Sequence, residues 1–147
     1  MNLRYAKKSE ATEQIEVVAW CRQAAEVVPA LRALRLLYHV PNGGKRNKQE
    51  AANLKQEGVK AGVPDLVLPV ARGAYIGLYI EMKFGDNRES ENQIDWLTSL
   101  QNEGHFVCVC YSARLALDVI ERYIKLVSGE RIDAPPGKHG YPVYREK

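Results

Sequence analysis

The feature that most constrains the fold is a pair of apolar stretches joined by a connection that contains Gly73. The first stretch opens at Pro64 and Asp65 and continues through Leu66–Leu68, and the second extends from Tyr75 to Phe84. Short apolar runs separated by a glycine-containing connection are typical of two strands of a hairpin. The sequence therefore predicts a pair of adjacent strands in the middle of the chain.

Segments with helical periodicity lie on both sides of this hairpin. Helices are predicted at about residues 9–28, 48–57, 90–103 and 113–127, and further strands at 36–40 and 105–111. Ser9 and Ser90 are suited to begin the first and third helices, whereas Pro29 and Gly58 are suited to end the first and second. The order α, β, α, β, β, α, β, α predicts an α/β fold in which helices flank a mixed sheet.

The length of 147 residues is that of one domain. Residues 1–127 contain the predicted helices and strands, whereas residues 128–147 contain three prolines and three glycines and are expected to form an irregular C-terminal tail. The composition, 46% hydrophobic and 27% charged, is that of an ordinary globular protein. No apolar run is long enough to cross a bilayer and the N-terminus does not resemble a secretory signal, so we expect no membrane partner.

The three cysteines, Cys21, Cys108 and Cys110, are too few and too unevenly spaced for a disulfide framework. We expect buried, reduced thiols rather than a metal site at the C-x-C pair, and therefore a reducing cytoplasm. The net charge of +3 and the pI near 8.7 permit a polyanionic partner without requiring one. Composition alone does not indicate a function.

The chemistry is indicated by Asp65, Glu81 and Lys83. Alternation along a strand places Glu81 and Lys83 on one face, and pairing of the two strands would bring Asp65 next to Glu81. Converging carboxylates need a cation between them, and oxygen ligands suit Mg²⁺ or Mn²⁺. Such an ion can activate water and stabilise charge at phosphorus, while Lys83 orients or helps to deprotonate the water. The pattern favours phosphodiester hydrolysis over a merely solvated strand face.

Longer motifs extend this pattern: PNGGKR at 41–46, AANLKQEGVKAGVPD at 51–65, GLYIEMK at 77–83 and S-x-x-Q-x-x-W at 90–96. From about Ser9 to Ile124 the chain resembles a stand-alone VRR-NUC (virus-type replication-repair nuclease) domain. The resemblance implies the restriction-endonuclease-like core of the PD-(D/E)xK superfamily and a metal-dependent DNA nuclease. Its small phage and bacterial members resemble Holliday-junction resolvases, which implies a homodimer.

Residue by residue, the resemblance assigns Asp65, Glu81 and Lys83 to the family's D…E-x-K positions and Gln93 to a glutamine in the following helix. These residues are the implied catalytic set, with Asp65 and Glu81 as metal ligands.

The family also has an acidic residue on its N-terminal helix, for which Glu10, Glu13 and Glu16 compete. We favour Glu10 as a third catalytic and metal-binding carboxylate, because Glu10 and Gln14 share one helical face, as in the stand-alone members.

A basic turn precedes the second predicted helix and consists of Asn42, Gly43, Gly44, Lys45 and Arg46. Its glycines allow close approach of the backbone to a phosphate, so we predict DNA contact there, with an exposed turn as the alternative. Lys60 is a further candidate for a phosphate contact, although it could simply be solvated. We expect His39 to be packed or capping rather than a metal ligand, and Trp96 to be in the core or a dimer contact rather than a base-stacking platform.

The favoured function is a DNA endonuclease that uses Mg²⁺ or Mn²⁺, with branched or Holliday-junction DNA as substrate on the resemblance alone. The alternatives are a restriction-like endonuclease on linear duplex DNA and a DNA-binding module that does not cut. Retention of Asp65, Glu81 and Lys83 argues against the binding module. The expected location is the cytoplasm of a bacterium or a phage-infected cell.

Overall fold

The computed structural model describes residues 8–42 and 46–146. In chain order the elements are α1 (Glu10–Val27), a 3-10 helix (Pro29–Leu36), β1 (Tyr38–His39), α2 (Lys48–Gln56), β2 (Leu66–Leu68), β3 (Leu78–Met82), α3 (Glu91–Asn102), β4 (Phe106–Cys110), α4 (Ala113–Ile124) and β5 (Val143–Tyr144).

The strands form one mixed sheet in the order β1-β2-β3-β4-β5. β1 and β3 both pair with β2 in antiparallel orientation, which confirms the predicted hairpin, and the register pairs Leu66 with Ile80 and Leu68 with Leu78. β4 runs parallel to β3, and α3 supplies the crossover connection that parallel strands need; β5 runs parallel to β4. The predicted α/β fold with a mixed sheet flanked by helices is confirmed.

The two faces of the sheet are covered by different helices. The even-numbered residues of β3 belong to the larger core cluster, to which α1 and α4 also contribute. A smaller cluster, centred on Leu97 of α3, Val107 and Val109 of β4 and Tyr141, lies on the opposite face. Because side chains alternate along a strand, Glu81 and Lys83 are directed to the α3 side, away from the larger core.

Several elements are shorter or different from those predicted. Residues 29–36 form a 3-10 helix, since Pro29 supplies its first turn and the i, i+3 spacing of Leu31 and Leu34 places both on one side, with Leu34 buried. This helix leaves only Tyr38–His39 for β1. The predicted strand 75–84 is reduced to β3, because Tyr75 pairs instead with Arg72 in an isolated bridge.

The C-terminal segment packs against the sheet. It has no helix or strand from residue 128 to 142 and then forms β5 beside β4, so it covers an edge that would otherwise be unpaired. Tyr141 is fully buried, and its hydroxyl donates to Glu89 Oε1 at 2.6 Å. The tail therefore contributes a strand and a core residue that its proline and glycine content did not predict.

The thiols of Cys21, Cys108 and Cys110 are free and buried. Cys108 and Cys110 share one face of β4, with their sulfur atoms 3.8 Å apart. None of the helices in residues 8–42 and 46–146 combines the length and the apolar character that a bilayer crossing requires.

Candidate active site

Three carboxylates meet where the β2–β3 hairpin approaches the start of α1. One oxygen from each of Glu10, Asp65 and Glu81 lies within 4.8 Å of the other two. Lys83 Nζ is 3.8 Å from Glu81 Oε1. Asp65 immediately precedes β2, Glu81 lies in β3 and Glu10 is the first residue of α1, so the cluster depends on tertiary packing as well as on the hairpin.

Asp65 is held by hydrogen bonds to its backbone and to its side chain. Its carbonyl accepts from Val40 N at 2.9 Å and also lies 2.9 Å from His39 Nδ1. Its carboxylate oxygen Oδ2 accepts from Met82 N at 2.9 Å. The side chain of Asp65 thus takes the place of a backbone acceptor at the end of the hairpin ladder. His39 contacts the backbone of Asp65 and is not part of the acidic cluster.

Glu81 is the most deeply buried of the three acids, at 1% exposure. Its Oε1 accepts from Gln93 Nε2 at 3.2 Å, whereas its Oε2 is buried without a hydrogen-bond partner among the described residues. Burial raises the pKa of Glu81 far above the usual carboxyl range, and the neighbouring Asp65 carboxylate raises it further, whereas Lys83 lowers it. A buried, unpaired carboxylate oxygen is costly, so this position requires either a proton or a cation.

The structure distinguishes between the three glutamates of α1. Glu10 faces the cluster; burial raises its pKa, while Lys83 lowers it. Glu13 is engaged elsewhere, since its Oε2 accepts from the backbone N–H of Ala113 at 3.0 Å and so helps to cap α4. Glu16 is exposed. Only Glu10 among these three is brought to Asp65 and Glu81.

Gln93 links the start of α3 to the cluster. Its Oε1 accepts from Ser90 N at 2.9 Å, and Ser90 Oγ accepts from Gln93 N at 3.2 Å, which completes a capping box. The same side chain donates from Nε2 to Glu81. The local signal that begins this helix therefore also fixes the rotamer of the residue that contacts Glu81.

None of the described residues that were predicted to contact DNA belongs to the acidic cluster itself. Asn42 Nδ2 donates to the carbonyl of Val63 at 3.1 Å, so this amide braces the loop that leads to Asp65. Arg46 is exposed and donates to the carbonyl of Pro41 at 3.1 Å, and Lys60 is exposed. The remaining predicted residues, Gly43, Gly44 and Lys45, lie outside the described residues.

Sequence reasoning missed Asn87, whose side chain lies near Glu10 and lowers its pKa, opposing the effect of burial. Asn87 lies in a turn after β3, where an amide is usually explained by turn formation alone. It also missed Asn42 and His39 as residues that position Asp65. Their short-range sequence context contains no signal for contacts with residues more than twenty positions away.

The cluster fits a hard divalent cation. Its ligands would be oxygen atoms only, from Glu10, Asp65 and Glu81, which is the donor set that Mg²⁺ and Mn²⁺ prefer. Such an ion would satisfy the unpartnered oxygen of Glu81 and offset the repulsion between three neighbouring acids. Lys83 is 7% exposed, so a second positive charge is held next to the position of the cation.

Comparison with known proteins agrees with this arrangement. The family model for the VRR-NUC domain matches residues 10–114. A solved structure described as a VRR_NUC domain protein is 31% identical and superposes with a TM-score of 0.67, covering 84% of this chain and 93% of that chain. No curated protein sequence matches the chain. The matched range includes every residue of the acidic cluster and the lysine beside it, and the chain therefore belongs to the VRR-NUC family of nucleases.

Proposed function

We propose that this protein is an endonuclease that hydrolyses phosphodiester bonds in DNA with Mg²⁺ or Mn²⁺ held by Glu10, Asp65 and Glu81. The observation that carries the proposal is the buried Oε2 of Glu81, which has no hydrogen-bond partner within residues 8–42 and 46–146. The same side chain has two further carboxylates and Lys83 as neighbours. A metal-free structural role would not favour such an arrangement, because the unpaired acid destabilises the folded state.

When bound, the cation supplies Lewis acidity toward a phosphate oxygen and lowers the pKa of water. Asp65 is oriented by Met82 N, and Glu81 by Gln93, so neither carboxylate needs to reorganise during the reaction. Lys83 presents an ammonium that orients the attacking water, favours its ionisation to hydroxide through the positive charge, and stabilises negative charge as it builds up at phosphorus. Catalysis then results from preorganised charge more than from side-chain movement.

We propose branched DNA, and four-way junctions in particular, as the substrate. A junction has two equivalent strands to cut, so a two-fold homodimer would present one active site to each. Leu115 of α4 packs against the core of its own chain, so its apolar side chain is not evidence for a dimer interface. The proposal of a dimer rests on the symmetry of the junction. A restriction-like activity on linear duplex DNA is the alternative substrate for the same chemistry.

We assign the nuclease domain to residues 1–127, with residues 128–147 supporting it through β5 and Tyr141. The setting that suits three free thiols is a reducing cytoplasm, that of a bacterium or a phage-infected cell.

The test is cleavage of a four-way junction and of a linear duplex of the same sequence, with Mg²⁺, with Mn²⁺ and with a chelator. We expect cleavage with either ion and none with the chelator, and faster cleavage of the junction. Glu10→Gln should abolish cleavage, whereas the matched control Glu16→Gln, which changes an exposed glutamate on the same helix, should not. Tight DNA binding without cleavage in any metal would leave a binding module, and equal cleavage of both DNAs would favour the restriction-like alternative.

Oligomeric state is measured separately, by sedimentation at micromolar protein concentration. A dimer with cuts placed symmetrically about the junction is expected. A monomer that still cleaves DNA would contradict the proposal of a junction resolvase, but it would be consistent with the proposed nuclease activity.

A further inference from the structure

A cleft lies beside the acidic cluster, between α2, the loop that follows it and α3. Its volume is about 460 Å³, and Leu54, Val59, Val63 and Trp96 form its apolar walls. Arg46 and Lys60 line it as well. An adjoining lobe of about 520 Å³ shares several of these residues and adds Lys55 and Asn92. Among the described residues that line the two lobes, none is acidic.

The apolar walls of this cleft are not accounted for by the core. Trp96, Leu54 and Val59 belong to neither of the two core clusters. α2 has no buried residue, and Val59 is 40% exposed. An indole and three aliphatic side chains are thus grouped on a surface with cationic neighbours, which is typical of a binding site for an aromatic anion rather than of interior packing.

The cleft and the acidic cluster share two structural supports. Val63 is two residues before Asp65, so their Cα atoms are at most about 7 Å apart. Gly62 has a φ of +92°, and a Cβ atom there would lie 2.6 Å from the backbone carbon of Asn92, the residue before Gln93. The loop therefore packs closely against the start of α3, and Asn92, the neighbour of Gln93 in the chain, lines the adjoining lobe.

On the proposed function, under which the substrate is DNA, we propose that the cleft receives an unstacked nucleobase next to the phosphodiester being cut. The base stacks on Trp96, and Arg46 and Lys60 contact the flanking phosphates. Stacking on indole tolerates any base, because every base has a π-face, and the cationic side chains match the backbone charge. Continuous stacking is interrupted at a branch point, so a base is unstacked there at a lower cost than within an uninterrupted duplex.

A second copy of the chain is the rival occupant. A two-fold interface at this surface would apply the same patch to itself and bring the Arg46, Lys55 and Lys60 side chains of both copies together. Like charges would then repel across the interface, whereas phosphates neutralise them. Charge complementarity therefore favours a nucleic acid.

The chain contains two tryptophans, Trp20 and Trp96, and they provide a matched pair of probes. Trp20 is on α1, packs against the larger core and lines a separate surface hollow beside α4. In Trp20→Phe protein the emission reports Trp96 alone, and in Trp96→Phe protein it reports Trp20 alone. Both are titrated with oligothymidylate and with a four-way junction in the presence of a chelator, so that no cleavage interferes.

We expect DNA to quench Trp96 emission by about twofold or more, as base stacking does, and to leave Trp20 emission nearly unchanged. Trp96→Ala should weaken junction binding by about tenfold, the effect of losing one stacked base. Trp20→Ala, the control, should leave the affinity unchanged. The far-ultraviolet circular dichroism spectrum of each variant must match that of the wild type, which shows that the variant is folded. The quenching measurement does not depend on the alanine variant, because Trp20→Phe protein keeps Trp96.

Metal-dependent cleavage is scored independently, so the two proposals can fail separately. Cleavage without quenching of Trp96 would overturn the base-binding cleft and leave the nuclease intact. Quenching without cleavage in any metal would support the cleft and overturn the nuclease. Trp96 emission that changes with protein concentration, and not with DNA, would assign the cleft to a second copy and overturn the proposal.

Discussion

Glu81 is nearly inaccessible to solvent, and one of its carboxylate oxygens is buried without a hydrogen-bond partner in the part of the chain that the structure describes. Two further acids, Asp65 and Glu10, have oxygens within 4.8 Å. In the metal-free protein this cluster opposes folding, because burial and repulsion both act against the charged form. The residues proposed to bind the metal therefore reduce the stability of the protein that lacks it, as is usual for functional sites.

The first prediction is that Glu81→Gln stabilises the metal-free protein at neutral and alkaline pH. Because the folded state raises the pKa of Glu81, it binds more protons than the unfolded state between the two pKa values. The contribution of Glu81 to the free energy of unfolding should therefore be greatest below the ordinary carboxyl pKa and fall as the pH rises toward the folded-state pKa, by at most about 1.4 kcal/mol per pH unit.

Thermal unfolding at mildly acidic and mildly alkaline pH, with chelator and with Mg²⁺, tests this prediction. Glu81→Gln should flatten the pH dependence and lose the stabilisation that added metal confers on the wild type. Equal stabilisation of both proteins by Mg²⁺ would contradict metal binding at Glu81.

The second prediction concerns Lys83, whose ammonium lies 3.8 Å from Glu81 Oε1. Lys83→Ala should slow single-turnover cleavage by about 10²- to 10³-fold, because it removes a charge that acts on the transition state. Stabilisation by Mg²⁺ should persist, since the ammonium is not a ligand. A cleavage rate within a factor of two of wild type would make Lys83 a neighbour of the site with no part in the reaction.

At the scale of elements, α3 links a local folding signal to the candidate site. The capping box between Ser90 and Gln93 begins the helix, and the same Gln93 side chain donates to Glu81. α4 also begins with a serine, Ser112, whose Oγ accepts from Leu115 N at 3.2 Å. Both helices therefore begin with a serine N-cap, but only the cap of α3 is a capping box, and only its partner, Gln93, contacts a residue of the acidic cluster.

The third prediction compares these two caps. Ser90→Ala and Ser112→Ala should each lower the free energy of unfolding by about 1 kcal/mol, because each removes one N-cap acceptor. Only Ser90→Ala should also slow cleavage, because the first turn of α3 carries Gln93, which contacts Glu81, whereas the first turn of α4 carries no residue of the acidic cluster. Urea unfolding and single-turnover cleavage measure the two effects. Equal loss of activity in both variants would indicate that helix stability, and not the position of Gln93, controls the rate.

On the scale of the whole molecule, the C-terminal segment and the sheet form one packed unit. Tyr141 is fully buried beside Leu97, Val107 and Val109, and its hydroxyl donates to Glu89. The segment thereby holds the connection between β3 and α3, which carries Asn87.

The fourth prediction is that Tyr141→Ala lowers the free energy of unfolding by about 3 kcal/mol or more, the cost of removing a buried aromatic ring. Val143→Ala, at an exposed position in β5, should change it by less than about 0.5 kcal/mol. Urea unfolding of both variants is the measurement. A small change in the free energy of unfolding of Tyr141→Ala would indicate that the tail is not part of the cooperatively folded unit.

The fifth prediction concerns the contacts with DNA that we propose for Arg46 and Lys60. Removing either side chain with alanine should reduce the slope of log affinity against log salt by about 0.9, because each phosphate contact releases a counterion. Lys125→Ala, at the end of α4, is the exposed control and should leave the slope unchanged. An unchanged slope in the first two variants would show that these cations do not contact phosphate.

The sequence by itself determined the hairpin, the helices α1 and α3 and the identity of the family. These features depend on short-range signals: apolar runs, serine caps, and the fixed spacing of Asp65, Glu81 and Lys83. Side chains alternate between the two faces of a strand, so Glu81 and Lys83, which are two residues apart, must lie on the same face. The local sequence was sufficient to predict the position of a residue wherever its partners lie nearby in the chain or in the adjacent strand.

Only the tertiary structure decided which glutamate of α1 joins the cluster. Glu10 and Glu13 are one helical turn apart, so periodicity cannot separate them, but packing of α1 against α4 directs Glu13 to the N–H of Ala113. The same holds for Trp96, which the sequence assigned to a core or dimer contact and which the fold places in a cleft outside both core clusters. Short strands such as β5 likewise form because β4 offers an unpaired edge, a condition that depends on residues distant in the sequence.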